Sequence, residues 1–547
     1  MEKPSRIHFN WHSHLWKSLS LLAAVTMLVY AVTLFNGFVL DDEDIIVNNP
    51  QTLNLSNIPE VLLAPDLIKP YYRPLNRASY LLDYHLAGLN PSWYHGVNII
   101  IHLGNVILLY LLCRRFLADK NAALMAALLF AVHPANTEAV NFISARNTLL
   151  ALFFSLSSLL AFVDARIDNL RRPMMPAFLF FCALLSKETG LMLIVVIAVY
   201  CLIPLPGELR EHRPWRERLS VLAPFLLATL VYFALRTYSL HGGTELSDAP
   251  AAPLYSRLAQ NYHIIPQYLG LLLFPADLNI FHRVPANGGL FQPSWYLPAW
   301  LVMLAMAAMI IRSRNRAALF GLLWLIINYA PISNVIPIPS GLISERFLYL
   351  PSAGFFIIFG VFIAWLTSWR LSRNLVLGGV AVIAAVCAAV TVQRNLDWKN
   401  NLSLFSSGAR NDPLSPVVHY YLGTAYKDSG DMVAAGKEWE KALSLNPGYA
   451  EALAQLGTMA AIQGNLQKAE QHYIAALEAP SGVSAPDISM AHYNLGKIYE
   501  KKGQPQRAMK HYQQFLKDVP FTYQEYQADA ERRLAFLLRT FNAVSVK

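Results

Sequence analysis

The apolar run from Leu19 to Phe35 ends on Asn36-Gly37-Phe38-Val39-Leu40 and then on Asp41-Asp42-Glu43-Asp44. A run of this length can cross the hydrocarbon of a bilayer as a helix. Carboxylates are costly inside hydrocarbon, so Asp41 and Asp42 belong at the membrane surface or just beyond it. Two readings of the pair stay open here: the mark of a span's end, or a catalytic base. Apolar runs recur as far as Val392 and then stop. Of the 547 residues 14% are charged and 55% hydrophobic, against about 25% charged in an average soluble domain. The chain therefore reads as a polytopic membrane protein up to about Arg394 and as a soluble one beyond it. The net charge of +9 is accounted for by Lys and Arg in loops facing the cytoplasm. It calls for no nucleic acid. Cys113, Cys182, Cys201 and Cys387 all lie in or beside apolar runs, which argues against a disulfide framework.

Apolar length and Lys/Arg bias give about eleven spans, near 17–36, 95–113, 121–137, 145–164, 173–186, 189–205, 219–236, 294–311, 317–333, 348–367 and 374–392. The first is read as a retained helix, because no convincing cleavage site follows it. A long outer loop, 37–94, comes next. The stretch from Tyr255 to Phe274 is interrupted by Asn261, His263, Pro266 and Gln267 and is placed in the interface, not across it. The N-terminus is then cytoplasmic and the C-terminus outside, and Arg114-Arg115 and Arg312/Arg314/Arg316 face the cytoplasm.

Beyond the last span the chain repeats. Leu456-Gly457 follows Leu422-Gly423 by 34 positions, and Leu495-Gly496 comes round again. Tyr, Ala and Pro recur at matching offsets: Tyr426, Ala435, Ala442 and Pro447, then Ala469, Tyr473 and Ala476, then Tyr499, Ala508, Tyr512 and Pro520. This is the tetratricopeptide pattern, an α-solenoid of stacked helix pairs. The expected organisation is a membrane domain over 1–395, a linker over 396–415, and a repeat domain over 416–547. The last holds about three repeats and a capping helix near 524–541.

This topology gathers the charged groups that interrupt apolar patterns onto one membrane face. Asp41, Asp42 and Arg73 lie in the first outer loop. His95, Asn98 and His102 line the outer half of the second span. His133, Glu138 and Arg146 form the turn between the third and fourth spans. Lys187-Glu188 and Glu345-Arg346 stand at the same level. Each has a bland reading: a bundle hydrogen bond for His95 and His102, a helix stop for His133-Pro134, a structural pair for Glu138 and Arg146, a charged turn for Lys187-Glu188, an interfacial anchor for Glu345-Arg346. Their convergence favours a site. An acidic group there could deprotonate an acceptor hydroxyl. Arg and Lys could hold a lipid phosphate and stabilise its departure. That chemistry is transfer of a group from a polyisoprenyl phosphate to a hydroxyl, with the group itself unnamed. The histidines lack the close spacing of a zinc site. No metal site is assigned and no cofactor is required, a divalent cation being left open.

The chain resembles the membrane glycosyltransferases of the C superfamily, and within them the transmembrane, tetratricopeptide-repeat-bearing O-mannosyltransferases and their bacterial relatives. The resemblance rests on Asn36-Gly-Phe38-Val-Leu-Asp41-Asp42, Tyr72-Arg73-Pro74-Leu75, Tyr94-His95-Gly-Val-Asn98 with His102, Phe130-Ala-Val-His133-Pro134 with Thr137-Glu138, Arg146, Ser186-Lys187-Glu188 and Ser344-Glu345-Arg346. It implies an all-α fold: a polytopic helix bundle of the glycosyltransferase C type followed by a tetratricopeptide α-solenoid. It also implies inverting transfer of a mannose-like sugar from a polyprenyl-phosphate donor to a hydroxyl, outside the membrane. Carried over, Asp41 is the first choice for the base and Asp42 the second. Arg146, Lys187 and Arg346 would bind the donor phosphate. Arg73, His95, His133, Glu138, Glu188 and Glu345 would shape the sugar and acceptor pocket. The expected partners are the polyprenyl-phosphate sugar, an acceptor protein or peptide gripped by the repeats, and the bilayer. The expected place is a bacterial inner membrane, with the repeats periplasmic. Transfer to a lipid or envelope glycan, and a scaffold without catalysis, are the alternatives.

Overall fold

The computed structural model describes residues 11–65, 71–167, 173–202, 219–240, 253–283, 296–335, 343–369, 372–479, 485–517, 519 and 523–545. The chain divides into two compact units, split in sequence between Asn400 and Asn401. Among the described residues all regular structure is helical. The first unit contains α1 (Trp11–Tyr30), α2 (Ile58–Leu63), α3 (Pro74–Ala87), α4 (Pro91–Phe116), α5 (Lys120–Val132), α6 (Thr137–Asn141), α7 (Arg146–Ile167), α8 (Met174–Ser186), α9 (Met192–Leu202), α10 (Ala223–Ser239), α11 (Leu254–Leu273), α12 (Tyr296–Ser313), α13 (Arg316–Tyr329), α14 (Tyr349–Ser368) and α15 (Arg373–Asp397).

Among the described residues six stretches are long and apolar enough to cross a membrane: His14–Phe35, Pro91–Phe116, Ile143–Asp164, Tyr296–Ser313, Glu345–Ser368 and Arg373–Asp397. A seventh appears if α5 and Pro134–Asn141 count as one span bent by 53°. The protein is multi-pass, but the eleven expected spans are not eleven full-length helices. Met174–Ser186, Glu188–Leu202 and Arg316–Ile332 are apolar and short. At 13 residues α8 rises about 20 Å, less than the roughly 30 Å of hydrocarbon. The expected span at 219–236 is α10, of 17 residues. The polar residues of α11 leave it outside the span-like set. The expected third span also proves broken. His133 is extended, with φ −73° and ψ 127°, because a residue before proline is driven out of the helical region. Pro134 then starts a separate short turn, and Glu138 follows it on α6.

The membrane core is organised around α4, which packs against α1, α5 and α7. Several of its polar residues are buried and bond across the bundle. His102 Nε2 donates to the Ala131 carbonyl at 3.1 Å, and the Tyr349 hydroxyl meets His102 Nδ1 at 2.7 Å. Asn105 Nδ2 donates to the Leu149 carbonyl at 3.0 Å. Helices α13 and α14 approach at Gly321 and Gly354, where a Cβ on Gly321 would stand 2.7 Å from the Gly354 carbonyl oxygen. Small residues permit such close backbone contact in membrane bundles.

The second unit contains α16 (Asn401–Asn411), α17 (Pro416–Asp428), α18 (Met432–Leu445), α19 (Ala450–Ile462), α20 (Leu466–Glu478), α21 (Ala485–Lys501), α22 (Pro505–Lys517) and α23 (Gln524–Ser545). The stretch expected as a linker thus carries α16, which packs on α17. The pairs α17/α18, α19/α20 and α21/α22 are the three repeats, and α23 packs on α22. The repeated glycine has one physical cause throughout. A Cβ on Gly423, Gly457 or Gly496 would come within 2.6, 2.9 and 2.6 Å of Trp439, Tyr473 and Tyr512 respectively. Each repeat seats an aromatic ring of its second helix on the bare backbone of its first.

Candidate active site

After α1 the chain is pinned before it reaches the acid pair. Asn36 Nδ2 donates to Asn141 Oδ1 and to the Asn395 carbonyl, both at 3.0 Å, and Asn141 Nδ2 donates to Asn395 Oδ1 at 2.6 Å. The Gly37 amide donates to the Lys399 carbonyl at 2.9 Å. Leu40 then adopts φ +53°, a left-handed conformation that side chains other than glycine rarely adopt without surrounding constraint. The two aspartates that follow fall into different surroundings. Asp42 is fully buried. Its Oδ1 accepts from the Ser144 amide at 2.7 Å and the Ser144 hydroxyl at 2.5 Å, and its Oδ2 from the Val39 amide at 3.2 Å. Burial pushes its carboxyl up to about 7, against the pull of those bonds. Asp41 is half-buried, with a face toward solvent.

The cations gather around the turn between α6 and α7. Lys187 ends α8 in extended conformation, with φ −159° and ψ 140°. Its ammonium donates to the Thr148 hydroxyl at 2.7 Å and lies 5.8 Å from the Phe347 ring centre. Burial, then the nearby Arg73 and Arg346 charges, pull Lys187 down to about 7, although Glu188 and Glu138 oppose the shift. Arg73 grips Glu188 with two bonds, Nε to Oε2 at 3.0 Å and Nη2 to Oε1 at 2.8 Å, and lies over Tyr71. The Arg346 amide donates to Glu138 Oε2 at 3.0 Å, and its guanidinium pairs with the other oxygen of the same carboxylate. The guanidinium also lies 5.4 Å from the Phe142 ring and 5.3 Å from the Phe347 ring. One segment therefore carries both halves of the site. Phe142 lies beneath Arg346, Ser144 holds Asp42, and Thr148 holds Lys187. Sequence reasoning passed over Ser144 and Thr148, since hydroxyls in an apolar turn carry no signal of their own.

Four expected site residues also bond to other parts of the fold. Arg146 is fully buried. Its Nε donates to Asn98 Oδ1 at 2.7 Å, Nη1 to Asp83 Oδ2 at 2.5 Å and to Ser79 Oγ at 3.1 Å, and Nη2 to the Tyr94 carbonyl at 3.1 Å. It presents no free face to a phosphate and ties the first outer loop to α4 and α7. His133 accepts at Nδ1 from the Ala135 amide at 3.3 Å and donates from Nε2 to the Leu272 carbonyl at 3.1 Å, fixing its tautomer and joining the broken span to α11. His95 is fully buried and donates from Nε2 to the Gly37 carbonyl at 3.3 Å. Glu345 Oε1 accepts from the Asn279 amide at 2.6 Å and meets His282 Nε2 at 3.2 Å. It anchors the segment after α11. Among the described residues no group of three or more His, Cys, Asp and Glu side chains is arranged to hold a metal ion.

These geometries fix an expectation for Arg146. Arg146→Lys keeps the charge but loses the planar fork, leaving buried acceptors on Asn98 and Tyr94 unmatched. The folded state should lose about 2 kcal/mol. Thermal unfolding of the purified protein in detergent checks this. An unchanged Tm with weakened donor binding would restore Arg146 to the phosphate site.

Two family models match the chain. One, described as dolichyl-phosphate-mannose-protein mannosyltransferase, covers residues 92–234. That range holds His95, His133, Glu138, Arg146, Lys187 and Glu188 and leaves out Asp41, Asp42, Arg73, Glu345 and Arg346. The other, tetratricopeptide repeat, covers 448–517. Among curated proteins the chain is 30% identical to protein O-mannosyl-transferase F38B6.6 of Caenorhabditis elegans, over 79% of this chain and 63% of that protein. It is 28% identical to human protein O-mannosyl-transferase TMTC1, over 80% of this chain and 56% of the relative. It is 25% identical to mouse protein O-mannosyl-transferase TMTC3, over 84% and 54%. The chain thus spans less than two thirds of the length of these relatives. The likeness nonetheless covers about four fifths of this chain, and together with the two family models it supports the transmembrane, tetratricopeptide-repeat-containing O-mannosyltransferase-like family.

Proposed function

We propose that the protein transfers a mannose-like sugar from a polyprenyl-phosphate donor to a Ser or Thr hydroxyl of a protein, on the outer face of a bacterial inner membrane. The observation that carries this reading is the gathering of Arg73, Lys187 and Arg346 around the segment that also holds the Asp41-Asp42 turn. Asp41 takes the proton of the acceptor hydroxyl as its oxygen attacks the anomeric carbon. The bond from that carbon to the phosphate oxygen breaks on the opposite face, so the configuration inverts. The departing phosphate gains a full negative charge, and Lys187 and Arg346 stabilise it where charge develops. Glu188 and Glu138 hold Arg73 and Arg346 in fixed directions. Asp42 acts one step back, by fixing the Ser144 backbone and the turn that presents Asp41. The names of the relatives support a protein acceptor, and the three repeats offer a surface on which an acceptor chain can lie.

Orientation is part of the proposal. With the N-terminus cytoplasmic, the site and the repeat unit lie outside. A reporter joined after Lys547 should be active only if exported; a cytoplasmic signal would refute the outward placement. The reaction is tested in proteoliposomes given a polyprenyl-phosphate mannose and a Ser/Thr-rich peptide. Mannose on the peptide supports the reading. Mannose found only on lipid or glycan would replace the acceptor class, and no transfer at all would remove the donor assignment.

A further inference from the structure

Three donors at the end of the last membrane helix are buried without an acceptor among the described residues. Arg394, on the last turn of α15, is only 3% exposed. Its Nη1 pairs with Asp397 at 3.1 Å, but Nε and Nη2 make no hydrogen bond to any described residue. Trp398 is fully buried, and its Nε1 likewise lacks an acceptor among the described residues. The two side chains are neighbours, with the Arg394 guanidinium 5.9 Å from the Trp398 ring. Leaving buried donors unmatched is costly, more so on a charged group. A cation near a helix C-terminus does interact favourably with the helix dipole. That benefit needs neither burial nor a neighbouring tryptophan.

The contacts lead directly to the cationic site. Trp398 stacks on Phe142, with ring centres 6.0 Å apart and planes 30° apart. Phe142 is the ring over which Arg346 lies. Arg394, Trp398, Phe142 and Arg346 therefore form one continuous series of cation–ring and ring–ring contacts. The backbone beside it is fixed as well, through the bond from the Gly37 amide to the Lys399 carbonyl.

We propose that Arg394 and Trp398 are positioning residues of the donor-phosphate site, acting on Arg346 through Phe142. The inference rests on the glycosyl-transfer reading above. Trp398 sets the plane of Phe142, and Phe142 sets the plane of the Arg346 guanidinium. Arg346 is already neutralised by Glu138, so a fixed direction toward the phosphate matters more for it than added charge. Arg394 holds Trp398 from behind by a cation–ring contact.

The test uses the full chain in proteoliposomes. Arg394→Gln and Trp398→Ala are compared with Arg394→Lys and Trp398→Phe, with donor KM, acceptor KM and Tm measured for each. Arg394→Gln should raise donor KM about tenfold, as loss of one desolvated cation–ring contact permits. Its acceptor KM and Tm should stay near those of the parent. Arg394→Lys and Trp398→Phe should recover most of the donor KM. An unchanged donor KM overturns the proposal. So does an equal rise in both KM values, or a variant whose lost activity follows lost folding. A parent protein that transfers nothing from this donor sinks the glycosyl-transfer reading and this inference together. An active parent with an indifferent Arg394→Gln sinks this inference alone.

Discussion

Asp41→Asn is expected to reduce kcat for transfer about 1,000-fold, the scale of a lost general base, with Tm and donor KM close to those of the parent. The substitution keeps shape and removes only the ability to accept a proton. The structure separates the two aspartates by access. Asp42, raised to about 7, would by acidity alone be the better-matched base at neutral pH. Geometry takes precedence, because a base must touch the proton it removes. Both Asp42 oxygens are occupied by Ser144 and Val39, and the group has no exposed face. Asp42→Asn should therefore act through the fold. One amide donor would face the Val39 or Ser144 donors, costing about 1–3 kcal/mol, with activity lost roughly in step with folded protein. The raised carboxyl also sets a sign. Its stabilising contribution is complete below its unfolded value, near 3.8, and is lost as pH rises through about 7. Asp42→Asn should flatten that part of the stability profile. Stopped-flow or endpoint transfer assays alongside thermal unfolding decide the matter. A well-folded Asp42→Asn as inactive as Asp41→Asn would move the base to Asp42.

The parts of this molecule that sequence made legible are those set by local pattern. The repeats could be read because Gly423, Gly457 and Gly496 each face an aromatic residue of the same helix pair, so the packing rule lies within one 34-residue unit. Lys187, Arg73 and Arg346 could be singled out because charge is rare in apolar surroundings. What stayed hidden depends on partners far away in the chain. Asp83 looks like any polar residue on an amphipathic helix, yet its carboxylate engages Arg146 from 63 positions away. His133 reads equally well as a pocket residue and as a helix stop until the Leu272 carbonyl, 139 positions on, is seen to hold its Nε2. Arg394 and Trp398 lie where the membrane pattern stops, and a boundary draws no attention to its residues. The lengths of the membrane helices were hidden for another reason. Apolar length finds a segment but not where its helix begins, and at Pro134 one segment became two.

Lys187→Gln should lower kcat/KM about 100- to 1,000-fold, the cost of removing one preorganised stabiliser of developing charge. The pH profile of the parent should show why lysine serves here. Without an anion the Lys187 ammonium is held down by burial first and then by the Arg73 and Arg346 charges, so its proton is held only to about 7. Glu188 and Glu138, which face it from the same cluster, do not fully offset this. A bound phosphate supplies the missing counter-charge and raises the affinity for that proton. Donor binding therefore takes up a proton above pH 7. Donor affinity should be flat below about pH 7 and fall by up to tenfold per pH unit above it, until the bound-state value is reached. Lys187→Arg, charged throughout, should remove the break and keep part of the activity. Lys187→Gln should remove the break and the activity together. Donor KM measured from pH 6 to 9 reads this directly. A break of the same position and slope in Lys187→Arg would assign the titration to another group, and with it would go the claim that Lys187 meets the phosphate.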